Sequence, residues 1–165
     1  MFNFNLKIPT EFHFGAGCES EIGKTVKQYG NNALIIYGSE RIFNNGPGND
    51  IAESLKTEGV SVNLFGGIVP NPLVSHINEA KAVCREKGID VLVAIGGGSV
   101  MDSAKGIAAG EDGEASLPVI TVVTAPATSS ESNPLFVLTD DETHEKNMNF
   151  NPGVIPKAAF LNPEL

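Results

Sequence analysis

The residues best suited to chemistry lie between Asp90 and Ala109, in the stretch DVLVAIGGGSVMDSAKGIAA. A short apolar run rich in β-branched residues, Val91 to Ile95, leads into Gly96-Gly97-Gly98 and then into a small-and-apolar run suited to a helix. The local expectation is strand, tight turn, helix. Glycine allows backbone angles closed to other residues and leaves no Cβ in the way of a ligand approaching the main chain. Ser99 is placed to cap the helix, and Asp102, three residues on, to complete a capping-box-like pair with it. Such a helix start presents unpaired N–H groups and the positive end of the dipole, which is the chemistry of a phosphate or pyrophosphate site. On spacing alone, glycines that serve only the geometry of a strand-to-helix turn are an equal reading. The stretch is not the dinucleotide fingerprint GxGxxG, whose third glycine would fall at Met101, nor a Walker loop, since no GK[ST] follows.

The rest of the chain bounds what such a site could serve. With 165 residues, 41% of them hydrophobic and 19% charged, the composition is that of one soluble globular domain spanning residues 1–165. A formal charge of -9 argues against nucleic acid or an anionic membrane as partner. An anionic ligand would therefore need local backbone donors, as a glycine turn at a helix start provides. No apolar run approaches the length that crosses a bilayer, and MFNFNLKIPTEF lacks the regions of a signal peptide, so the expected location is cytoplasmic. Cys18 and Cys84 show no CxxC spacing, and His13, His76 and His144 are too scattered for a helical pair of ligands, so no metal site is expected.

The elements that must hold the glycine turn follow from periodicity. Phe2, Phe4, Leu6 and Ile8 alternate with polar residues and read as a half-buried strand ending at Pro9. A strand over Glu11 to Phe14 leads through Gly15-Ala16-Gly17 to a helix, Glu19 to Tyr29, closed by Gly30. Ala33 to Tyr37 is a continuous apolar run of the kind found inside a parallel sheet. A helix over Pro47 to Glu58 stops at Gly59, a strand runs from Val60 to Phe65, and Ser75 is expected to cap a helix over Ile77 to Lys87 that ends at Gly88. After the glycine turn and its helix come an acidic linker, GEDGEAS, a strand over Leu117 to Thr124, a hairpin of Leu135–Thr139 with Lys146–Phe150, and a last strand, Ala158 to Leu161. The alternation predicts an α/β fold, a Rossmann-like doubly wound parallel sheet with a small β-hairpin region near the C-terminus. In such folds ligands gather at the carboxyl ends of the strands, where Gly38, Asn71 and Gly96 to Ser99 all fall.

GGGSVMDSAKGIA resembles the GGGSxxDxAK signature of the iron-containing alcohol dehydrogenase family, whose amino-terminal domain binds NAD(P) by its pyrophosphate at that turn. The likeness runs from Phe2 to Leu165 and is closest to NADP-dependent butanol dehydrogenase-like members. It implies cofactor-binding roles for Gly97, Gly98, Ser99 and Asp102, and for Asn71 in the loop GGIVPNPLVS, which two prolines would make a rigid turn in any case. It also implies them for Thr124, Thr128 and Ser130 in a loop ending Ser-Glu that side-chain to backbone bonds could equally shape, and in which Ser129 stands where glycine is common. Lys146 matches a lysine that hydrogen-bonds the nicotinamide ribose, though lysines are common at solvated strand ends. Gly38 and Ser39 occupy the place where an acidic residue would accept from an adenosine 2′-hydroxyl, and Ser39 and Arg41 could contact a 2′-phosphate. Glu40 weighs the other way, so the expected cofactor is NADP with NAD as the alternative.

The resemblance further implies hydride transfer between NAD(P) and a primary alcohol or aldehyde in the complete enzyme. There Fe2+ or Zn2+ would be held by one carboxylate and three histidines of a helical domain that follows the stretch read here. No catalytic residue and no metal ligand is expected within the chain itself, and a homodimer through the N-terminal strand is implied, an ordinary edge strand being the plainer reading. The bridge between the two signatures is shorter than is usual in the family. The second functional reading is a non-catalytic, metal-free assembly or regulatory module that kept the fold.

Overall fold

The continuous apolar runs become the centre of one sheet because a strand inside a parallel sheet shows both its faces to helices and has no solvent side. In the computed structural model, which describes residue 3 and residues 7–110 and 117–165, these runs are β2 (Asn32–Tyr37), β4 (Val91–Gly96) and β5 (Val119–Val123), buried almost throughout. With β1 (Glu11–Phe14), β3 (Ser61–Phe65) and β8 (Ala158–Leu161) they form a six-stranded sheet in the order β1-β8-β5-β4-β2-β3, every pair parallel. Ala33 lies opposite Val91 and Leu92 opposite Val119, so the buried residues of neighbouring strands form rows across the sheet. The alternating run at Phe2–Leu6 and the linker residues 111–116 lie outside the described residues.

The two faces sort by the strand period of two. Ala33, Ile35, Val91, Val93, Ile95, Ile120 and Val122 pack with Ile22 and Val26 of α1 (Ile22–Lys27) and with Ile51 and Leu55 of α3 (Gly48–Thr57). Leu34, Ile36, Leu92 and Ala94 pack with Ile77, Ala80 and Cys84 of α4 (Val74–Lys87) and with Ala104 and Ile107 of α5 (Gly98–Ala108). The antiparallel hairpin of β6 (Leu135–Thr139) and β7 (Lys146–Phe150) forms as the sequence suggests and adds Phe136 and Leu138 to the second face. A single-turn helix, α2 (Arg41–Asn44), follows β2. No helix among the described residues is long and apolar enough to cross a membrane.

Some local expectations are corrected. The helix expected over Glu19 to Tyr29 divides into a 3-10 turn, Cys18–Glu21, and α1, and in that turn the buried Glu19 accepts from Asn162 Nδ2 at 3.0 Å at the far end of the chain. Gly30 is not a left-handed helix stop. A Cβ there would come within 2.2 Å of the Asp90 carboxylate, which accepts from the N–H groups of Asn31 and Asn32. Ser75 does not cap α4, which begins earlier, after Leu73. The Ser75 N–H and hydroxyl both donate to the carboxylate of Asp141 in the hairpin turn, and these bonds hold that carboxyl below the usual carboxylate range. Gly59 and Gly88 do end their helices in the left-handed region, with φ of 72° and 62°.

The crossing of α1 and α3 depends on one missing side chain. A Cβ on Gly23 would lie 2.2 Å from the Ser54 carbonyl oxygen, and the Gly23 N–H donates to Ser54 Oγ at 3.1 Å. Forcing atoms into a packed interface costs about 1–3 kcal/mol. A Gly23→Ala variant should therefore melt at least ~2 °C lower in a calorimetric scan, and an unchanged melting temperature would show that the two helices separate freely.

Candidate functional site

The strand order determines where a site can form. From β2 the chain passes outward to β3, crosses back to β4 on the other side of β2, and continues outward through β5 and β8. This is the 2-1-3-4-5 arrangement of doubly wound sheets rather than the 3-2-1-4-5-6 order, and its switch of direction opens a crevice between β2 and β4 at their carboxyl ends. The exits of β5, β4 and β2 stand side by side there, carrying Thr124 to Ser130, Gly97 to Ser99, and Gly38 to Arg41.

At the centre of this edge, β4 ends at Gly96 and α5 begins at Gly98, with Gly97 as an extended N-cap that has no side chain to donate or accept. The Gly97 carbonyl accepts from the N–H groups of Val100 and Met101, both at 3.1 Å. No described residue accepts from the N–H groups of Gly97, Gly98 or Ser99. A helix start left in this state holds several donors and the positive end of the dipole without an internal partner.

The expected capping box is not formed. Ser99 lies inside the first turn, where its carbonyl accepts from Ser103 Oγ at 2.8 Å. Asp102 turns away from its own helix, accepting from Ser130 Oγ at 2.6 Å and from the Val137 N–H at 3.1 Å. Two donors delivered by the loop and by β6 outcompete a single amide of the helix start. The capping position is therefore empty, and both oxygens of Asp102 are engaged within the protein. Ser130 is 1% exposed and donates its hydroxyl proton to Asp102. Asp102 and Ser130 thus tie α5, the loop and the hairpin together.

The loop leaving β5 closes over the glycines. The Thr124 N–H donates to the Gly96 carbonyl at 3.1 Å, extending the β4-β5 ladder to the corner. A Cβ on Gly97 would lie 3.4 Å from the Cβ of Ala125, and one on Gly98 would lie 3.1 Å from the Cβ of Ala127. The loop then turns through Thr128 and Ser129, both left-handed with φ of 50° and 53°, and Thr128 is exposed while Thr124 is half-buried.

On the other side of the crevice, Gly38 is pinned to the β3–α4 loop. The Gly67 N–H donates to its carbonyl at 3.0 Å, and a Cβ on Gly38 would approach the Ile68 carbonyl oxygen to 3.3 Å. Ser39 and Arg41 are exposed. Between them Glu40 accepts from the Tyr37 hydroxyl at 2.7 Å, and burial together with that carboxylate pushes the phenol up to about 12. Asn71 occupies the left-handed region with φ of 59° in the same β3–α4 loop. The Pro72 carbonyl accepts from the Thr139 N–H at 2.8 Å, and Thr139 stands opposite Lys146 in the hairpin, so the end of β7 that carries Lys146 is stitched beside the loop of Asn71.

Sequence reading assigned no role to Lys105, Asn133, Tyr37 or Ala127. Lys105 is wholly buried, and its Nζ donates to the Leu135 carbonyl at 2.7 Å and to Asn133 Oδ1 at 3.2 Å. Burial pushes its ammonium down to about 8, against the pull of the Asp102 and Glu131 charges. The signal was present in the spacing, since Asp102 and Lys105 stand three apart on a helix otherwise made of small and apolar residues. Among the described residues no group of three His, Cys, Asp or Glu side chains comes together to hold a metal ion.

Sheet order, switch-point crevice and open helix start define a doubly wound α/β domain of the dinucleotide-binding type. Residues 9–163 match the family described as iron-containing alcohol dehydrogenase, and the chain belongs to that family. It is 40% identical over 177 residues to the probable NADH-dependent butanol dehydrogenase 1 of Bacillus subtilis, covering 99% of this chain and 46% of that protein. It is 33% identical over 180 residues to the NADPH-dependent aldehyde reductase YqhD of Escherichia coli, with 99% and 46% covered. The crystal structure of NADH-dependent butanol dehydrogenase A from Thermotoga maritima superposes with a TM-score of 0.90 at 32% identity, over 98% of this chain and 44% of that one. The chain thus spans less than half the length of these relatives. Both sequence alignments are longer than the 165 residues of the chain, so the relatives hold residues that have no counterpart here.

The buried Lys105 predicts a pH dependence. Its proton affinity is lower in the folded chain than the ordinary lysine value of 10.5, so between about 8 and 10.5 the unfolded chain binds more protons and stability from this group rises with pH. Denaturant unfolding of the wild type and of a Lys105→Met variant should show a stability difference that shifts in favour of the wild type between pH 8 and pH 10. A difference that stays flat would contradict the burial-driven shift.

Proposed function

We propose that this chain is the nicotinamide-dinucleotide-binding part of an alcohol dehydrogenase. The observation that carries the reading is the set of three successive N–H groups, Gly97 to Ser99, without an acceptor at the switch point of the sheet. In this reading those amides receive the pyrophosphate. Gly38 and Ser39 line the adenosine ribose, Asn71 runs along the dinucleotide, and Thr124 and Thr128 offer hydroxyls on the nicotinamide side, where Lys146 meets the second ribose. Asp102 and Ser130 act through the loop they hold. A bound nicotinamide supplies the hydride acceptor, and the chain's own residues orient it and hold the loop that shields it from water.

Between the two dinucleotides, the exit of β2 favours NAD over the NADP expected from the sequence. The Tyr37 hydroxyl fixes the Glu40 carboxylate at the exit of β2, where it would repel a 2′-phosphate and accept from a 2′-hydroxyl. Oxidation of a primary alcohol, or reduction of an aldehyde, is proposed for the complete enzyme of which this domain holds the cofactor. A homodimer belongs to the same reading. It would run through the N-terminal alternating strand, whose Phe2, Phe4 and Leu6 lie outside the described residues.

NADH should quench or shift in fluorescence on titration with the chain, and Gly98→Asp, which sets a carboxylate against the diphosphate, should remove that signal at millimolar cofactor. Equal affinity in the variant would mean that the turn is structural only. A Glu40→Ser variant should improve NADPH binding relative to NADH by about tenfold, the loss of one close like-charge contact. An unchanged ratio would remove Glu40 as the selector.

A further inference from the structure

The loop that closes over the glycine corner holds a conformation that its own residues disfavour. Thr128 and Ser129 both sit in the left-handed region, with φ of 50° and 53°, and Thr128 is β-branched. Such a pair persists only where the surroundings over-determine it. Beside the backbone bonds of the loop, one side chain spans both residues, because Asn133 Nδ2 donates to both the Thr128 carbonyl, at 2.8 Å, and the Ser129 carbonyl, at 2.9 Å. The amide is itself oriented from behind. Asn133 Oδ1 accepts from the buried Lys105 Nζ at 3.2 Å and from the Leu135 N–H at 2.8 Å, so its oxygen and nitrogen cannot exchange places without facing donor to donor and acceptor to acceptor. One turn earlier on the same face of α5, Asp102 holds Ser130. The helix that starts at the glycine corner therefore grips the loop lying over that corner at two points.

We propose that Asn133, set by Lys105, is a positioning residue for the dinucleotide: it pre-orders the Thr128–Ser129 turn so that the Thr128 hydroxyl and the loop backbone stand ready at the crevice. The proposal rests on the dinucleotide reading above for its functional half, while its structural half stands without ligand. Pre-ordering matters because a loop already in its bound conformation has no ordering entropy left to lose when the ligand arrives.

Asn133→Asp separates this role from plain stability. The carboxylate keeps the acceptor for Lys105 and Leu135 and adds an ion pair to the buried ammonium, but it loses the donor to the two carbonyls. The expected result is a melting temperature close to that of the wild type, the ion pair to Lys105 offsetting the carboxylate oxygen that then faces the two carbonyls, together with faster hydrogen exchange at Ser130 and Ser132. Their N–H groups bond within the loop to the Ala127 and Ser129 carbonyls. NADH affinity is expected to be about tenfold weaker, the loss of two ordinary hydrogen bonds shared with solvent. A residue with only a structural role would move affinity and stability in the same direction. Asn133→Ala, which leaves Lys105 its bond to Leu135, gives the same exchange readout should the aspartate variant fail to fold. Unchanged loop exchange in the ligand-free variant overturns the proposal. If the wild-type chain fails to bind NADH, the dinucleotide reading falls, and the exchange comparison still decides the clamp.

Discussion

The first turn of α5 lies against the loop leaving β5 with almost nothing between them, and the geometry of the whole carboxyl edge follows from that approach. It is possible because Gly97 and Gly98 carry no side chains where Ala125 and Ala127 carry methyl groups at 3.4 and 3.1 Å from the places their Cβ atoms would take. A larger residue on either side would lift the loop. The same lack of side chains leaves the helix without a cap, so its first amides have no internal partner. Close packing and an open donor set are two results of one choice of residue.

The rest of the domain serves to hold this approach in place. β4 is flanked by β2 and β5 in parallel register and is buried along its length, which fixes the direction in which its last residue points. α5 is anchored beneath by Ala104 and Ile107 in the second-face core and on the flank under the hairpin by two polar grips, Asp102 on Ser130 and Val137, and Lys105 on Asn133 and Leu135. The hairpin is thereby part of the site's frame: β6 is tied to α5 at Val137 and to the β3–α4 loop at Thr139.

What could be read without coordinates divides along a physical line. Strands and helices were legible where a local period or a glycine stop determines them, as in ALIIY at β2, the alternating hairpin, and the left-handed Gly59 and Gly88. The positions of Gly38, Asn71 and Gly97 to Ser99 at strand ends followed from the same patterns. Side chains whose partner lies far along the chain were misread. Ser75 and Ser99 have the local look of caps, yet the winning partner of Ser75 is Asp141, 66 residues away, and the Asp102 expected to complete the box with Ser99 is held by Ser130 and Val137. Lys105 escaped notice for the same reason, since a lysine in a helix is ordinarily solvated and only the fold buries it under β6. Membership of the iron-containing alcohol dehydrogenase family was legible in the long signature GGGSVMDSAK itself.

The resemblance to the family implies that binding and chemistry lie in different parts of the complete enzyme, and the proposal gives this domain the binding part. Its central claim is local and can be observed residue by residue. Backbone amide resonances of a 15N-labelled chain titrated with NADH should move most at Gly97, Gly98 and Ser99, with smaller changes at Thr124 and Thr128. Resonances that stay fixed at the glycine corner while others respond would place the cofactor elsewhere and contradict the account.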